Sequence, residues 1–394
     1  MPTSAEPDAL GVYVHFPWCL AKCPYCDFFS LAAERQAIPH REYADAMLRE
    51  LERRAAELPR LRLSSVFFGG GTPSLWEPRE LGRVLAAIRA AFPAERVEIT
   101  AECNPSSFDE RRAAELLEAG INRVSLGVQG LDRERLGFLG RLHDAGGALG
   151  ALRIALAAGF ERVSADLIFG VSGQTPDEAR AEALTVAELG PTHVSAYALT
   201  IEPGTRFGAL AKAGKLPLLE EDLVARSFEA VSRALEGVGF EHYEISNFAR
   251  QGHYAEHNLA VWRGRPYLGL GTGAWGTVPR PSGLLRYRNA PAPERYLRAS
   301  ATAALWETSE LVSDAELVDA PTALKERLML GLRLSEGVDP EAMARETGAP
   351  YWTADRTRAV ARLEQAGRLE RRGGRLAIPR AAWLFSDAVV RELM

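Results

Sequence analysis

Three cysteines fall within eight residues, in the run Cys19-Leu-Ala-Lys-Cys23-Pro-Tyr-Cys26. A C-x3-C-x2-C spacing puts three thiolates on one tight loop. They can bind three irons of a [4Fe–4S] cubane and leave the fourth iron without a protein ligand, whereas most such clusters use four cysteines. A metal that lacks one protein ligand keeps a coordination position for a substrate. The amino and carboxylate groups of the methionine in S-adenosylmethionine can fill it. Structural zinc is the competing reading, with His15 or Cys103 as fourth ligand. Zinc sites usually pair their ligands as two separated knuckles, and only one is present. His15 also alternates with Val14 and Phe16 in a strand pattern, which suits a position lining a barrel.

Other residues could serve such a site. The run Phe68-Gly-Gly-Gly-Thr-Pro-Ser74 lacks the lysine of a phosphate loop. It is either a bare tight turn or a place where missing side chains let backbone approach a ligand. Glu102, beside Asn104-Pro105, is a surface carboxylate or an acceptor for two ribose hydroxyls. Tyr13 is an ordinary strand aromatic or packs beside the cluster, Tyr25 covers it from within the loop, and Cys103 is a small core residue. An apolar shell of Phe16, Trp18, Phe28 and Phe29 is expected to exclude water and oxygen. Cleaving a sulfonium reductively needs an electron from the low end of the roughly −700 to +450 mV range of such clusters.

These residues need a scaffold. At 394 residues the chain is long enough for one large domain plus an appendage. Hydrophobic residues make up 47% and charged residues 25%, as in ordinary globular proteins. Lys plus Arg (47) against Asp plus Glu (52) gives −5, so the whole molecule has no electrostatic reason to seek nucleic acid. The first ten residues carry no basic or apolar run of a secretory signal, and no stretch approaches a membrane span. A cytoplasmic protein is expected, where clustered cysteines mean metal or redox chemistry rather than disulfides.

Strand patterns occur at 11–16, 65–68, 97–101, 123–128, 162–169 and 193–199. Amphipathic helix patterns lie between and after them, near 43–58, 77–91, 109–119, 147–158, 176–189 and 220–236. Six strand–helix repeats predict a parallel sheet with right-handed crossovers, a partial (β/α)6 barrel, with an open doubly wound sheet as the alternative. Most strands end in chemically unusual residues, and barrels place their sites at the carboxyl ends of strands. The expected division is a barrel over 1–245, a connecting Gly- and aromatic-rich segment packed on it over 246–320, and a winged-helix-like module over 321–394. In that module, helices near 322–334, 340–347 and 354–366 precede a hairpin turned at Gly373-Gly374. Its eight arginines between 353 and 380 (356, 358, 362, 368, 371, 372, 375 and 380) face only Asp355, Glu364 and Glu370. A solvated face, not duplex binding, is the expectation.

Taken in order, several motifs resemble one family. They include Val12-Tyr-Val-His-Phe-Pro17, the glycine run, Glu102-Cys-Asn-Pro105, Gly127-Val-Gln129, Gly140-Arg-Leu-His143, Asp166-Leu-Ile-Phe-Gly170, Tyr243-Glu-Ile-Ser-Asn-Phe248 and His257-Asn258. The chain looks like a radical S-adenosylmethionine protein of the oxygen-independent coproporphyrinogen III oxidase family, and within it like the haem chaperone (HemW-like) branch. The resemblance implies a radical SAM barrel with a HemN-type C-terminal domain. It assigns S-adenosylmethionine contacts to Gly70, Gly71, Thr72, Glu102, Gln129, Arg141 and Asp166. It also implies haem as cargo, haem-accepting proteins (soluble or membrane-associated) as partners, and an electron donor. The dehydrogenase branch carries a further cysteine where this chain has Phe28. Coproporphyrinogen dehydrogenase activity, or another radical reaction such as methyl transfer, is therefore the alternative. Two positions depart from the branch's usual pattern: Val261 stands for tyrosine, and Trp275 for histidine after Gly273-Ala274. His257 is the first candidate for haem iron, although a hydrogen-bonded structural role competes. His143 is expected to support Arg141, with His15, His193 and His242 in the core.

Overall fold

Alternation along each strand decides which side chains reach the site. In β1 (Ala9–Phe16), Leu10, Val12, Val14 and Phe16 are fully buried. Phe16 meets Tyr43 and Trp76 edge-on and stacked, so this face lies under the helices. Tyr13 and His15 take the opposite, interior face. The same period recurs in β2 (Arg62–Gly70), β3 (Glu98–Cys103), β4 (Arg123–Gln129), β5 (Arg162–Phe169) and β6 (His193–Ala198). These observations come from a computed structural model that describes residues 9–58 and 61–394. The reading of the N-terminus as no secretory signal rests mainly on residues 1–8, outside the described residues.

All six strands pair in parallel in sequence order, as the repeats predict. The intervening helices are α1 (His40–Ala55), α2 (Pro78–Ala91), α3 (Glu110–Glu118), α4 (Ala145–Ala158), α5 (Pro176–Glu188) and α6 (Glu221–Gly237). Their starts are set locally: Asp109 and Asp144 cap the backbone N–H of Arg112 and Gly147, and Thr175 with Glu178 forms a capping box.

The segment 246–320 does more than pack on the barrel; it extends the sheet. After β7 (Glu241–Glu244), β8 (Asn247–Ala249) pairs antiparallel to β6. Then β9 (Tyr267–Leu270) pairs in parallel with β1 on the other side, and β10 (Trp275–Arg280), β11 (Gly283–Asn289) and β12 (Val312–Val318) follow antiparallel. The result is one twelve-stranded sheet, β12-β11-β10-β9-β1-β2-β3-β4-β5-β6-β8-β7, whose edge strands β12 and β7 do not pair with each other among the described residues. The barrel is therefore partial. Composition concealed the extension because glycines at close approaches imitate loop texture. The Gly269 position, for example, lies against the Trp275 carbonyl, where a Cβ would collide.

A helix, α7 (Glu256–Trp262), and a buried ion network close the amino-terminal end of the barrel. Glu98 Oε2 receives Arg123 at 3.3 Å and Arg162 at 2.6 Å, and Arg162 also pairs with Glu256 at 2.8 Å. The opposite, carboxyl end is left for chemistry.

The C-terminal module comprises α8 (Ala320–Gly331), α9 (Pro340–Thr347), α10 (Ala354–Gln365), the hairpin β13 (Glu370–Arg372) with β14 (Arg375–Ala377), and α11 (Ser386–Leu393). It docks on the barrel. Leu334 packs with Tyr243, Tyr254 and Leu259, Arg333 pairs with fully buried Glu244 at 3.1 Å, and Trp383 meets His242 edge-on. Its arginines are engaged: Arg356 donates to Leu393 O and Tyr351 O, Arg358 pairs with Asp355, Arg362 with Glu392, Arg371 with Glu364, Arg372 with Glu370 and Arg380 with Glu236. Arg375 donates to Glu336 O and Gly337 O, and Arg368 lies over Phe385. Among the described residues no helix is long and apolar enough to cross a membrane. Truncation after Val318 should lower barrel stability, because Glu244 loses its cation and three apolar partners of Leu334 meet water. Losing one partner of a buried ion pair alone costs on the order of 3 kcal/mol. Thermal unfolding of the truncated chain checks this; an unchanged midpoint would show that the module is independent.

Candidate functional site

The chain leaves β1 at the carboxyl end of the barrel and enters the cysteine loop at once. A two-residue parallel bridge, Trp18–Cys19 with Leu31–Ala32, staples the loop's two ends together. Cys19, Cys23 and Cys26 are free, partly buried thiols, and burial pushes the Cys19 and Cys26 thiols up. Two side chains from the loops that follow β2 and β4 aim hydrogen-bond donors at the sulfurs. Thr72 Oγ1 donates to Cys19 Sγ at 3.4 Å and Arg141 Nη1 to Cys23 Sγ at 3.5 Å. Donors of this kind favour thiolates over thiols. The donor set fits three iron ligands on one loop.

Neither proposed fourth zinc ligand is available. His15 spends both ring nitrogens, Nδ1 with Tyr13 Oη at 2.9 Å and Nε2 with Phe29 O at 2.8 Å. Cys103 is buried and donates to Ala101 O at 3.6 Å. Among the described residues no three or more His, Cys, Asp or Glu side chains are placed to hold a single metal ion together.

The glycine run has a packing reason of its own. The backbone N–H of Gly70 donates to Glu102 Oε2 at 3.2 Å, that of Gly71 to Phe16 O at 2.7 Å and that of Thr72 to Trp18 O at 2.9 Å. A Cβ on Gly71 would lie 2.7 Å from the Pro17 carbonyl carbon and the Trp18 oxygen. A Cβ on Gly70, at φ +106°, would lie 2.5 Å from the His15 ring. The glycines let the end of β2 press against the base of the cysteine loop, and Thr72 then reaches Cys19.

Beneath the loop, the interior holds two half-buried carboxylates, Glu102 and Asp166. Glu102 is the penultimate residue of β3, and burial, with Asp166 nearby, pushes its carboxyl up to about 7. Asp166 on β5 is also raised by burial, and Ser195 and Ser125 oppose that shift; Ser125 Oγ lies 3.0 Å from both carboxylate oxygens. Arg141 leans in from the loop after β4, with Nη2 donating to Gly127 O at 3.0 Å. Its Nε is buried and has no partner among the described residues, as is Thr100 Oγ1 one turn of the pleat below Glu102. Half-buried carboxylates and orphaned donors at one place fit a polar ligand with hydroxyls and a carboxylate.

Gln129 joins them. It is the one non-glycine residue with positive φ among the described residues, +67°, at a bulge between Gly127 and Gln129. Such strain costs of order 1–3 kcal/mol and concentrates at functional sites. Tyr13 lines the interior between Phe67 and His15, within the field of Glu102. Tyr25 packs against Phe207 and lies within the field of Cys23 and Cys26.

Several placements differ from expectation. Phe16 and Trp18 pack under the helices with Tyr43, on the far face of β1, and Phe28 is 62% exposed. Of the apolar shell only Phe29 lies against the site, stacked on His15. His143 donates to or accepts from no part of Arg141; its Nε2 meets Val128 O at 3.0 Å. His15, His193 and His242 are buried. His257 lies in α7 at the amino-terminal end, the wrong end for the cysteine loop. It is 5% exposed, its Nδ1 is 2.8 Å from Ser65 Oγ, and its ring stacks on Phe67. Burial lowers its pKa to about 4. Ser125, Ser195 and Thr100 escaped the sequence reading. Alternation within strands already identified as barrel strands was the available signal.

Residues 13–184 match the Radical SAM superfamily, and residues 318–385 match the HemN C-terminal domain. The chain is 36% identical to the Heme chaperone HemW of Mycobacterium tuberculosis (strain ATCC 25618 / H37Rv), over 100% of this chain and 96% of that protein. It is 37% identical to the Heme chaperone HemW of Escherichia coli (strain K12), over 73% of this chain and 76% of that one. Among solved structures, coproporphyrinogen III oxidase (HemN) from Escherichia coli, described as a radical SAM enzyme, superposes with a TM-score of 0.80 at 20% identity. The match covers 98% of this chain and 90% of that one, and shows a shared fold.

Proposed function

The chain belongs to the radical SAM family that includes the Heme chaperone HemW proteins, and on that premise we propose that it is a cytoplasmic haem carrier built around a [4Fe–4S] site. Identity across the whole length, C-terminal module included, carries this reading. Cys19, Cys23 and Cys26 hold the cluster. When bound, the reduced cluster supplies S-adenosylmethionine with a low-potential electron.

The chain's own residues position and polarise. Thr72 and Arg141 donate to ligand sulfurs, which withdraws charge from them. Arg141 Nε and Gln129 are placed to take the methionine carboxylate, and Glu102, once ionised, the ribose hydroxyls. Gly70 and Gly71 hold the loop over this pocket, and Asp166 holds its far wall through Ser125. Tyr13 and Tyr25 flank it. Haem-requiring proteins and an electron donor are the partners, with no nucleic acid among them.

Phe28 stands where the dehydrogenase branch has a cysteine, and its phenyl ring, 62% exposed, carries no atom that could serve as a ligand there. Reconstituted protein should therefore bind haem yet convert no coproporphyrinogen III to protoporphyrinogen IX in an anaerobic assay with reductant and S-adenosylmethionine. A dehydrogenase run alongside serves as control. Turnover at the control's rate would move this chain to the enzyme branch.

A further inference from the structure

Large hydrophobic side chains are exposed around the carboxyl end of the barrel in an uneven way. Phe28 on the cysteine loop, Leu142 beside Arg141, Tyr197 at the end of β6 and Trp275 at the start of β10 all stand out of the core. They come from separate parts of the chain, and the topology brings them to one rim. Exposed apolar side chains gathered in this way mark a surface that something covers.

One part of the rim is built in more detail. Gly273, at φ +73°, sits so close to Phe29 that a Cβ there would lie 2.6 Å from the ring. The turn that starts β10 is thereby fixed against the cysteine loop. Trp275 follows, 41% exposed, and its cross-strand partner is Arg288. The Arg288 guanidinium carbon lies 5.4 Å from the Trp275 ring centroid, and its Nε is buried without a hydrogen-bond partner among the described residues. Asp314, the neighbour of Arg288 on β12, does not pair with it within 4.0 Å. Its carboxylate accepts from Ser313 Oγ at 3.0 Å.

An exposed indole beside a guanidinium with an unused donor offers a flat apolar surface and a carboxylate partner at its edge. Resting on the haem-carrier reading above, we propose that haem is seated on this rim, its macrocycle against Trp275 and a propionate on Arg288, rather than at His257. The occupant is argued from charge complementarity: an apolar disc with carboxylates on one edge matches both features, and neutral or cationic ligands leave Arg288 unanswered. His257 is buried at the opposite end, where a macrocycle would have to displace α7 and break the Ser65 contact.

The test uses the full-length reconstituted protein, titrated with haemin and with haemin dimethyl ester under difference absorbance. Haemin should bind the wild type at least about tenfold more tightly than the ester does, the loss expected for one charged hydrogen bond. Arg288→Ala should bind the two compounds alike, and Trp275→Ala should weaken both. Iron content and thermal midpoint serve as fold controls, and the ester comparison needs no variant at all. Equal affinity of the wild type for haemin and its ester overturns the seat, as does unchanged haemin binding in both variants, which would leave the rim to a protein partner. Failure of the wild type to bind haemin overturns the carrier reading itself.

Discussion

Replacing Cys19, Cys23 or Cys26 by alanine should take the anaerobically reconstituted protein from about four irons per chain to essentially none. Each sulfur stands on one loop whose ends are stapled by the Trp18–Leu31 bridge, and no further thiol lies within that loop. Cys103, buried on β3 and bonded to Ala101 O, cannot swing in as a substitute. The effect should be all or none, unlike the graded losses that surface substitutions give. Iron and sulfide analysis with absorbance spectra measures it. A variant that kept its full iron content would remove that cysteine from the ligand set.

The second large effect concerns Glu102. Its carboxyl has a pKa of about 7 in the protein against 4.5 in an unfolded chain, because burial and Asp166 disfavour the charge. A raised carboxyl pKa means that the folded state binds the proton more tightly. Stability therefore falls as pH rises from about 4.5 through about 7, by on the order of 3 kcal/mol in full. Glu102→Gln keeps an acceptor for the Gly70 N–H but carries no charge. In the absence of ligand it should be more stable than the wild type at pH 8 and nearly equal to it at pH 4.5. Toward S-adenosylmethionine the sign reverses, since losing a charged hydrogen bond costs roughly 1.5–3 kcal/mol, or about 10- to 150-fold in affinity. Wild-type affinity should also fall below about pH 7, whereas that of the variant should not. Thermal melts and ligand titrations at the two pH values measure both signs. A variant that is less stable at pH 8 and binds the ligand normally would make Glu102 a structural residue. Gly70→Val is a poorer probe: it collides with His15 and places valine at positive φ, so it tests loop packing as well.

Much of this was legible in the sequence where one local rule sufficed. Strand alternation around Tyr13 and His15, and apolar helix faces such as that of α1, placed the six parallel strands. The C-x3-C-x2-C spacing needed no tertiary information. The extension β9 to β12 was not legible, because Gly269, Gly271 and Gly273 there serve close approach to Trp275, Tyr43 and Phe29, contacts that only the fold creates. The same applies to the glycine run at 69–71, whose partners Phe16 and Trp18 lie some fifty residues earlier in the chain. Phe28 and Phe16 look equally apolar in sequence, yet one faces solvent and the other the helices. His257 attracted attention as a histidine beside an asparagine. Its place at the closed end of the barrel follows from α7, seven residues whose docking no periodicity reveals.

The central claim is a cluster with one iron left open for S-adenosylmethionine above Glu102 and Arg141. Electron paramagnetic resonance of the dithionite-reduced, reconstituted protein tests it most directly, recorded with and without S-adenosylmethionine. The spectrum should be that of a single reduced [4Fe–4S] cluster whose g values shift on adding the ligand, with the shift weakened in Glu102→Gln. A spectrum identical with and without the ligand, or protein that takes up stoichiometric zinc and shows no cluster signal, would contradict it.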